Sequence, residues 1–224
     1  MPKLAKQHTH PGYYNAAGKR VPNVTTVAKL IQAPEGLIHW AWQLGVDGKD
    51  YREERDAAAT AGHICHHMIE SSIKGREITF DDGIDEETKG LAVRGFQGFQ
   101  RWAESTKFSL IQTEVVVISE KYQYGGRLDC IATVNGEPCI VDWKTSKKSS
   151  PMPAWLPQVA AYRQGWNETH RGEQVKSCHL MQLRKADAGF SHHYLPPETM
   201  DLGFRAFLAC LELYDLRKQV EKLF

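Results

Sequence analysis

The stretch Gly126-Arg127-Leu128-Asp129-Cys130-Ile131-Ala132-Thr133-Val134-Asn135-Gly136-Glu137-Pro138-Cys139-Ile140-Val141-Asp142-Trp143-Lys144-Thr145-Ser146 holds two apolar runs divided by Asn135-Gly136. Asn-Gly between such runs is the strongest short signal for a two-residue hairpin, because both residues of a type I′ turn need positive φ. Strands are expected over Gly126–Val134 and Glu137–Lys144. With that loop Val134 faces Glu137, and counting outward brings Asp129 opposite Asp142 and Arg127 opposite Lys144. Side chains alternate along a strand, so these four are expected to share one face.

Directly opposed residues hold their Cβ atoms about 4.5–5.5 Å apart, and like charges there are destabilising. Two facing carboxylates therefore call for compensation, which a divalent cation supplies. Hard oxygen ligands at that separation suit Mg2+ or Mn2+. Lys144 is placed to orient or help deprotonate an attacking water, or to stabilise charge on a phosphorane-like transition state. Arg127 is placed to hold a phosphate or to salt-bridge a carboxylate. The hairpin alone leaves a blander reading open, in which Lys144 and Arg127 simply neutralise the aspartates on a structural face.

Upstream, Leu110–Ser119 contains Val115-Val116-Val117-Ile118 and is expected as a buried strand. Two long helices precede it. One runs from Glu53 to Lys74, with Ala58, Ala61, Cys65 and Met68 at three- and four-residue spacing and Gly75 as its cap. The other covers about 86–105, with Ala92, Phe96, Phe99 and Ala103 as its buried stripe. A shorter helix over Pro34–Leu44 and an N-terminal hairpin turning at Gly18-Lys19-Arg20 come first. Downstream, a proline-rich loop over Ser150–Pro157 leads to a helix over Pro157–Trp166. Strands over Val175–Arg184 and Phe190–Leu195 follow, then an amphipathic helix from Glu198. Helices, a three-strand meander, a helix, two strands and a helix predict a mixed α/β sandwich.

At 224 residues and 42% hydrophobic content the chain can bury one sizeable core, and it is read as a single domain, 1–224, with helical additions at both ends. Its net charge of +1 argues against coating nucleic acid through an overall field, so any phosphate-binding charge must be local. The five cysteines form no CxxC pair and are odd in number. A disulfide framework, zinc ribbon or iron–sulfur cluster is therefore disfavoured, and they read as small buried residues. His63 and His67 stand i, i+4, but the HExxH pattern of a zinc hydrolase is missing. No apolar run approaches the ~18 residues of a membrane helix and the start is polar, so a cytosolic setting, in a host or virus-infected cell, is expected.

Gly126-Arg127-Leu128-Asp129 followed by Ile140-Val141-Asp142-Trp143-Lys144 resembles the G-x-x-D…(D/E)-x-K signature of the PD-(D/E)XK nuclease superfamily. Gln158-Val159-Ala160-Ala161-Tyr162 looks like the QxxxY motif of its RecB-like exonuclease branch, and Gly62-His63-Ile64-Cys65-His66 like the G-x-x-x-H helix motif. Glu114 falls where that branch carries an upstream acidic residue. Val21-Pro22-Asn23-Val24-Thr25-Thr26 is similar to the start of phage-type members. Each motif is short, but four occur in the right order over residues 62–162.

The resemblance implies a restriction-endonuclease-like core, a mixed central β-sheet flanked by helices. It implies an Mg2+- or Mn2+-dependent exonuclease of DNA, in phage or mobile-element replication and recombination. Carried over by position, it assigns metal ligation to His66, Asp129, Asp142 and the Trp143 backbone carbonyl. Lys144 becomes the catalytic lysine, and Glu114 a second-metal or supporting residue. Gln158 and Tyr162 would contact the DNA backbone or brace the site. Lys147 and Lys148 are candidates for phosphate contacts, and Trp155 for a wedge against a base. A recombination or single-strand-binding protein is the partner class implied, and oligomeric state is left open. The iron–sulfur nucleases that share this core need a cysteine cluster absent here. The rival reading is an inactive nuclease fold kept as a DNA-binding subunit of a recombination complex, against which the intact Asp129, Asp142 and Lys144 stand.

Overall fold

The computed structural model describes residues 12–146 and 152–224 of the chain. A small hairpin, β1 (Tyr13–Tyr14) and β2 (Arg20–Val21), leads into α1 (Val24–Ala28), α2 (Glu35–Val46), α3 (Tyr51–Ile73) and α4 (Glu86–Ser105). Then come β3 (Phe108–Ser119), β4 (Tyr124–Val134), β5 (Glu137–Ser146), α5 (Trp155–Thr169), β6 (Cys178–Arg184), β7 (Phe190–Leu195) and α6 (Pro197–Val220).

The long helices begin where side chains can satisfy free backbone N–H groups. Asp50 accepts from Arg52 N–H at 2.8 Å to open α3, and Asp85 accepts from Thr88 N–H at 2.7 Å to open α4. Gly75, at φ +63°, closes α3 in the left-handed conformation that glycine adopts without penalty. Asn135 and Gly136 both have positive φ, as the type I′ turn between β4 and β5 requires.

Strands β3 to β7 form one five-stranded sheet in chain order, antiparallel except for the β5–β6 pair. That pair is parallel because α5 carries the chain across the sheet between them. Ile140 of β5 packs with Val159 and Tyr162 of α5, Phe207 of α6 and Val24 of α1. Cys139, Val141 and Trp143 pack on the other side with Cys65 and Met68 of α3 and Phe96, Phe99 and Trp102 of α4. The mixed sheet is thus covered on both faces, which is why Cys139, Ile140 and Val141 of β5 are apolar in succession rather than alternating with polar residues. All five cysteines are buried and unpaired. Among the described residues no helix is long and apolar enough to cross a membrane.

One expectation needs correction. The valine run of β3 is not buried throughout: Val115 and Val117 are, but Val116 is 59% exposed, because β3 is an edge strand with one face open at that level. At the end of β6 the neighbouring residues Arg184 and Lys185 are both paired within the chain. Lys185 is buried and donates to the Ala58 carbonyl of α3 at 2.8 Å, while Arg184 pairs with Asp187 at 3.0 Å.

Candidate active site

The β4–β5 register agrees with the sequence reading from Val134↔Glu137 out to Cys130↔Val141, where the pairing ends. Beyond it the strands behave differently. On the β3 side, Thr113 pairs with Cys130 and Val115 with Leu128, which leaves Glu114 and Asp129 facing each other at an interruption of the ladder. Glu114 takes φ +54°, a left-handed conformation costing a non-glycine residue about 1–2 kcal/mol. Strict alternation fails in β4 at the same level. Leu128 shares one core cluster with Ile131, whereas Cys130 belongs to the other. The irregularity frees the Asp129 carboxylate from simple opposition to Asp142. Its Oδ2 accepts the Trp143 backbone N–H at 2.9 Å, so it lies against the backbone of β5. The expected facing of Arg127 and Lys144 is also lost. Arg127 pairs with Val116 of β3, and its Nε meets Glu114 Oε2 at 2.8 Å.

The two aspartates nevertheless meet at one place, because β5 keeps its alternation: Asp142 and Lys144 project with Ile140 towards α5. Lys144 Nζ lies 2.7 Å from Asp142 Oδ2 and donates to Gln158 Oε1 at 3.0 Å. The contact with Asp142 is a short, buried ion pair. A carboxylate has about four lone-pair sites, so Asp142 keeps acceptor capacity for a cation beside the ammonium.

His66 arrives from α3, with Nδ1 3.7 Å from Asp129 Oδ1. The glycine one turn earlier explains how. A Cβ at Gly62 would stand 2.8 Å from Thr145 Oγ1, so only glycine lets α3 lie this close to the end of β5. Gly126 does similar work on the other face. A Cβ there would meet the Tyr162 ring at 2.6 Å and Val24 at 3.1 Å.

Burial dominates the electrostatics. It pushes the Asp142 carboxyl up to about 6, with Lys144 pulling down and Asp129 pushing up. Burial likewise raises Asp129, against the pull of Lys144 and the Trp143 N–H. For Lys144 burial works against the ammonium, but Asp142 and Asp129 outweigh it and the lysine stays charged. Burial and Lys144 lower His66 to about 4, so its imidazole is neutral at ordinary pH and has a lone pair to offer. Glu114 is raised by burial despite Arg127. The donor set is thus two buried carboxylates beside a neutral imidazole. That chemistry fits a hard divalent cation, although among the described residues no three such groups are drawn into one finished ligand shell.

Gln158 and Tyr162 lie one turn apart on α5 and both turn inward. Gln158 Nε2 donates to Tyr162 Oη and to Thr25 Oγ1, each at 3.0 Å. Tyr162 is 3% exposed, with its Oη turned to Gln158 and Thr25, and offers little surface to a ligand. Trp155 is not in a loop: it opens α5 and packs partly buried against the core. Lys147 and Lys148 lie outside the described residues. Sequence reasoning missed Thr25, whose only signal was its place in the Val21–Thr26 motif.

The five-stranded mixed sheet, and a site where a lysine and two aspartates gather on its central strands, define a nuclease fold. The sequence profile of the PD-(D/E)XK nuclease superfamily matches residues 36–215, and the chain belongs to that superfamily. It is similar to mitochondrial genome maintenance exonuclease 1 of mouse, 28% identical over 211 residues that cover 87% of this chain and 59% of the relative. The human protein of that name is 27% identical over 219 residues, covering 91% of this chain and 60% of the relative. The chain thus spans about 60% of the length of these relatives. Among solved structures, a putative exonuclease from Eubacterium rectale superposes with a TM-score of 0.57 at 12% identity, over 93% of this chain and 84% of that one. This last likeness concerns the fold alone.

Proposed function

We propose that the protein is a divalent-metal-dependent deoxyribonuclease that hydrolyses phosphodiester bonds from DNA ends. The observation that carries the reading is the pair Asp129 and Asp142. Both are held in a buried setting that raises their pKa values, with Lys144 against one of them and His66 against the other. Burying two carboxylates beside one another makes ionising both costly, so the arrangement is better explained by a ligand that uses them. Asp129, Asp142, His66 and the Trp143 carbonyl would hold Mg2+ or Mn2+. Such an ion polarises a bound phosphate and lowers the pKa of a coordinated water.

The chain's own residues have separable tasks. Lys144 holds positive charge beside the phosphoryl oxygens and offers a proton donor there. Gln158 fixes the direction of that ammonium. Glu114 and Arg127, paired at the strained point of β3, support Asp129 from the outer strand. Cleavage from ends is favoured because the relatives named above are called exonucleases and because of the QxxxY resemblance. A setting in phage or mobile-element recombination follows from the resemblance alone.

The test is digestion of end-labelled single- and double-stranded DNA with Mg2+, Mn2+ or EDTA. Metal-dependent shortening from the ends, abolished in Asp142→Ala, is the expected result. Binding without cleavage, insensitive to chelation and to that substitution, would replace the proposal by the non-catalytic DNA-binding reading.

A further inference from the structure

We propose that Thr25, on the short N-terminal helix α1, is a positioning residue for Lys144 and acts through Gln158. The inference rests on the reading of Lys144 as the catalytic ammonium.

An amide side chain has one accepting end and one donating end, and an ammonium can be met only by the former. In this site the accepting end of Gln158 meets Lys144 Nζ at 3.0 Å. Its two N–H groups are both used, one on Thr25 Oγ1 and one on Tyr162 Oη, at 3.0 Å each. Gln158 is therefore held at three points, and its carbonyl oxygen cannot move away from Lys144 without breaking a bond at the far end. The Tyr162 anchor belongs to the same helix as Gln158 and moves with it. Thr25 is the anchor that ties the amide to a different element.

That element is itself keyed to the catalytic strand. Asn23 caps α1 by accepting the Thr25 N–H at 2.7 Å and forms a parallel bridge with Gly125. Gly125 N–H donates to the Pro22 carbonyl at 3.0 Å. Val24 packs on Gly126, where a Cβ would stand within 3.1 Å of it. The Thr25 hydroxyl is thus placed relative to β4 only a few residues before Asp129. Lys144 on β5 and Asp129 on β4 are referenced to one another through Gln158 and Thr25, a route independent of their own hairpin. Thr25 remains partly exposed, and its Oγ1 lies 3.5 Å from Tyr162 Oη, which closes the ring of three polar groups.

The experiment compares Thr25→Val, which keeps the branched shape and deletes the hydroxyl, with Thr25→Ser, Gln158→Leu and the Thr25→Val/Gln158→Leu double variant. Two readouts are taken: steady-state cleavage of an end-labelled oligonucleotide with Mg2+, and solvent exchange of the Gln158 side-chain amide protons by NMR. Because a modest misplacement of a catalytic group costs on the order of 10-fold or more in rate, Thr25→Val should lower kcat by about 10-fold with KM little changed. Thr25→Ser should restore it. Adding Thr25→Val to Gln158→Leu should cost nothing further, the mark of a residue that acts through its neighbour. Amide exchange should accelerate in Thr25→Val and not in Thr25→Ser. Unchanged kcat together with unchanged exchange in Thr25→Val overturns the proposal, as does an equal further loss in the Gln158→Leu background. If the wild type cleaves no DNA the nuclease reading itself fails. Amide exchange then still decides whether Thr25 holds Gln158.

Discussion

Replacing Asp142 by asparagine should make the metal-free protein more stable at neutral pH while abolishing cleavage. Asp142 is 1% exposed, and burial raises its carboxyl to about 6 from an ordinary 3.8. A carboxyl whose folded pKa is raised binds its proton more tightly in the folded state. Its ionisation therefore erodes stability as pH climbs from about 4 through about 6, and the cost is complete above that window. A rise of this size corresponds to roughly 3 kcal/mol at about pH 8, falling to about 1 kcal/mol near pH 4.5. The pull of Lys144 is already contained in the value of about 6.

Asparagine has the same shape and no charge, so Asp142→Asn should recover most of that cost. His66, lowered to about 4, works in the opposite sense. It adds stability above its ordinary 6.5 that is lost as pH falls towards 4, but it is present in both proteins and largely cancels in their difference. The assay is urea denaturation of both proteins with EDTA at about pH 8 and about pH 4.5. A variant less stable than wild type at the higher pH, or a difference that does not change with pH, would refute the claim that burial rather than ion pairing governs Asp142.

Mg2+ in millimolar excess should raise the thermal midpoint of wild type and leave those of Asp142→Asn and Asp129→Asn unmoved, since a ligand stabilises only the form that binds it; differential scanning fluorimetry reads this directly. Gly126→Ala should cost about 1–3 kcal/mol, because its Cβ would meet the Tyr162 ring at 2.6 Å in a packed interior. Urea midpoints measure it, and kcat should fall with it as Tyr162 is pushed from Gln158. Gly62→Ala should reduce cleavage by about 10-fold or more by driving α3, and His66 with it, away from β5. Thr145→Ala, which removes the atom 2.8 Å from that Cβ, should restore most of the loss. An additive double variant would show that the contact does not set the position of His66.

The hairpin, its turn and its inner register were legible along the chain because they depend on local rules. Asn135-Gly136 can satisfy positive φ at both turn positions, and side chains alternate every two residues on a paired strand. The boundaries of α4 and the Gly75 cap of α3 were legible for the same reason. What the rules assumed was an unbroken ladder, and the ladder breaks at Glu114 and Asp129. Nothing in either residue type announces a left-handed glutamate in the middle of a strand. It is held there by the Arg127 pair and by the β4 pairing that resumes on both sides of it, and it turns Asp129 onto the Trp143 N–H and Arg127 away from Lys144.

Residue identity and order along the chain thus determined which groups carry the chemistry, since carboxylates, lysine and histidine have their acid–base character wherever they stand. Only the tertiary structure decided how they meet. The burial that raises Asp142, the close approach permitted by Gly62 and the reach of Thr25 across to Gln158 all involve residues far apart in sequence. Distances between such residues are set by packing, not by any periodicity that a single chain displays.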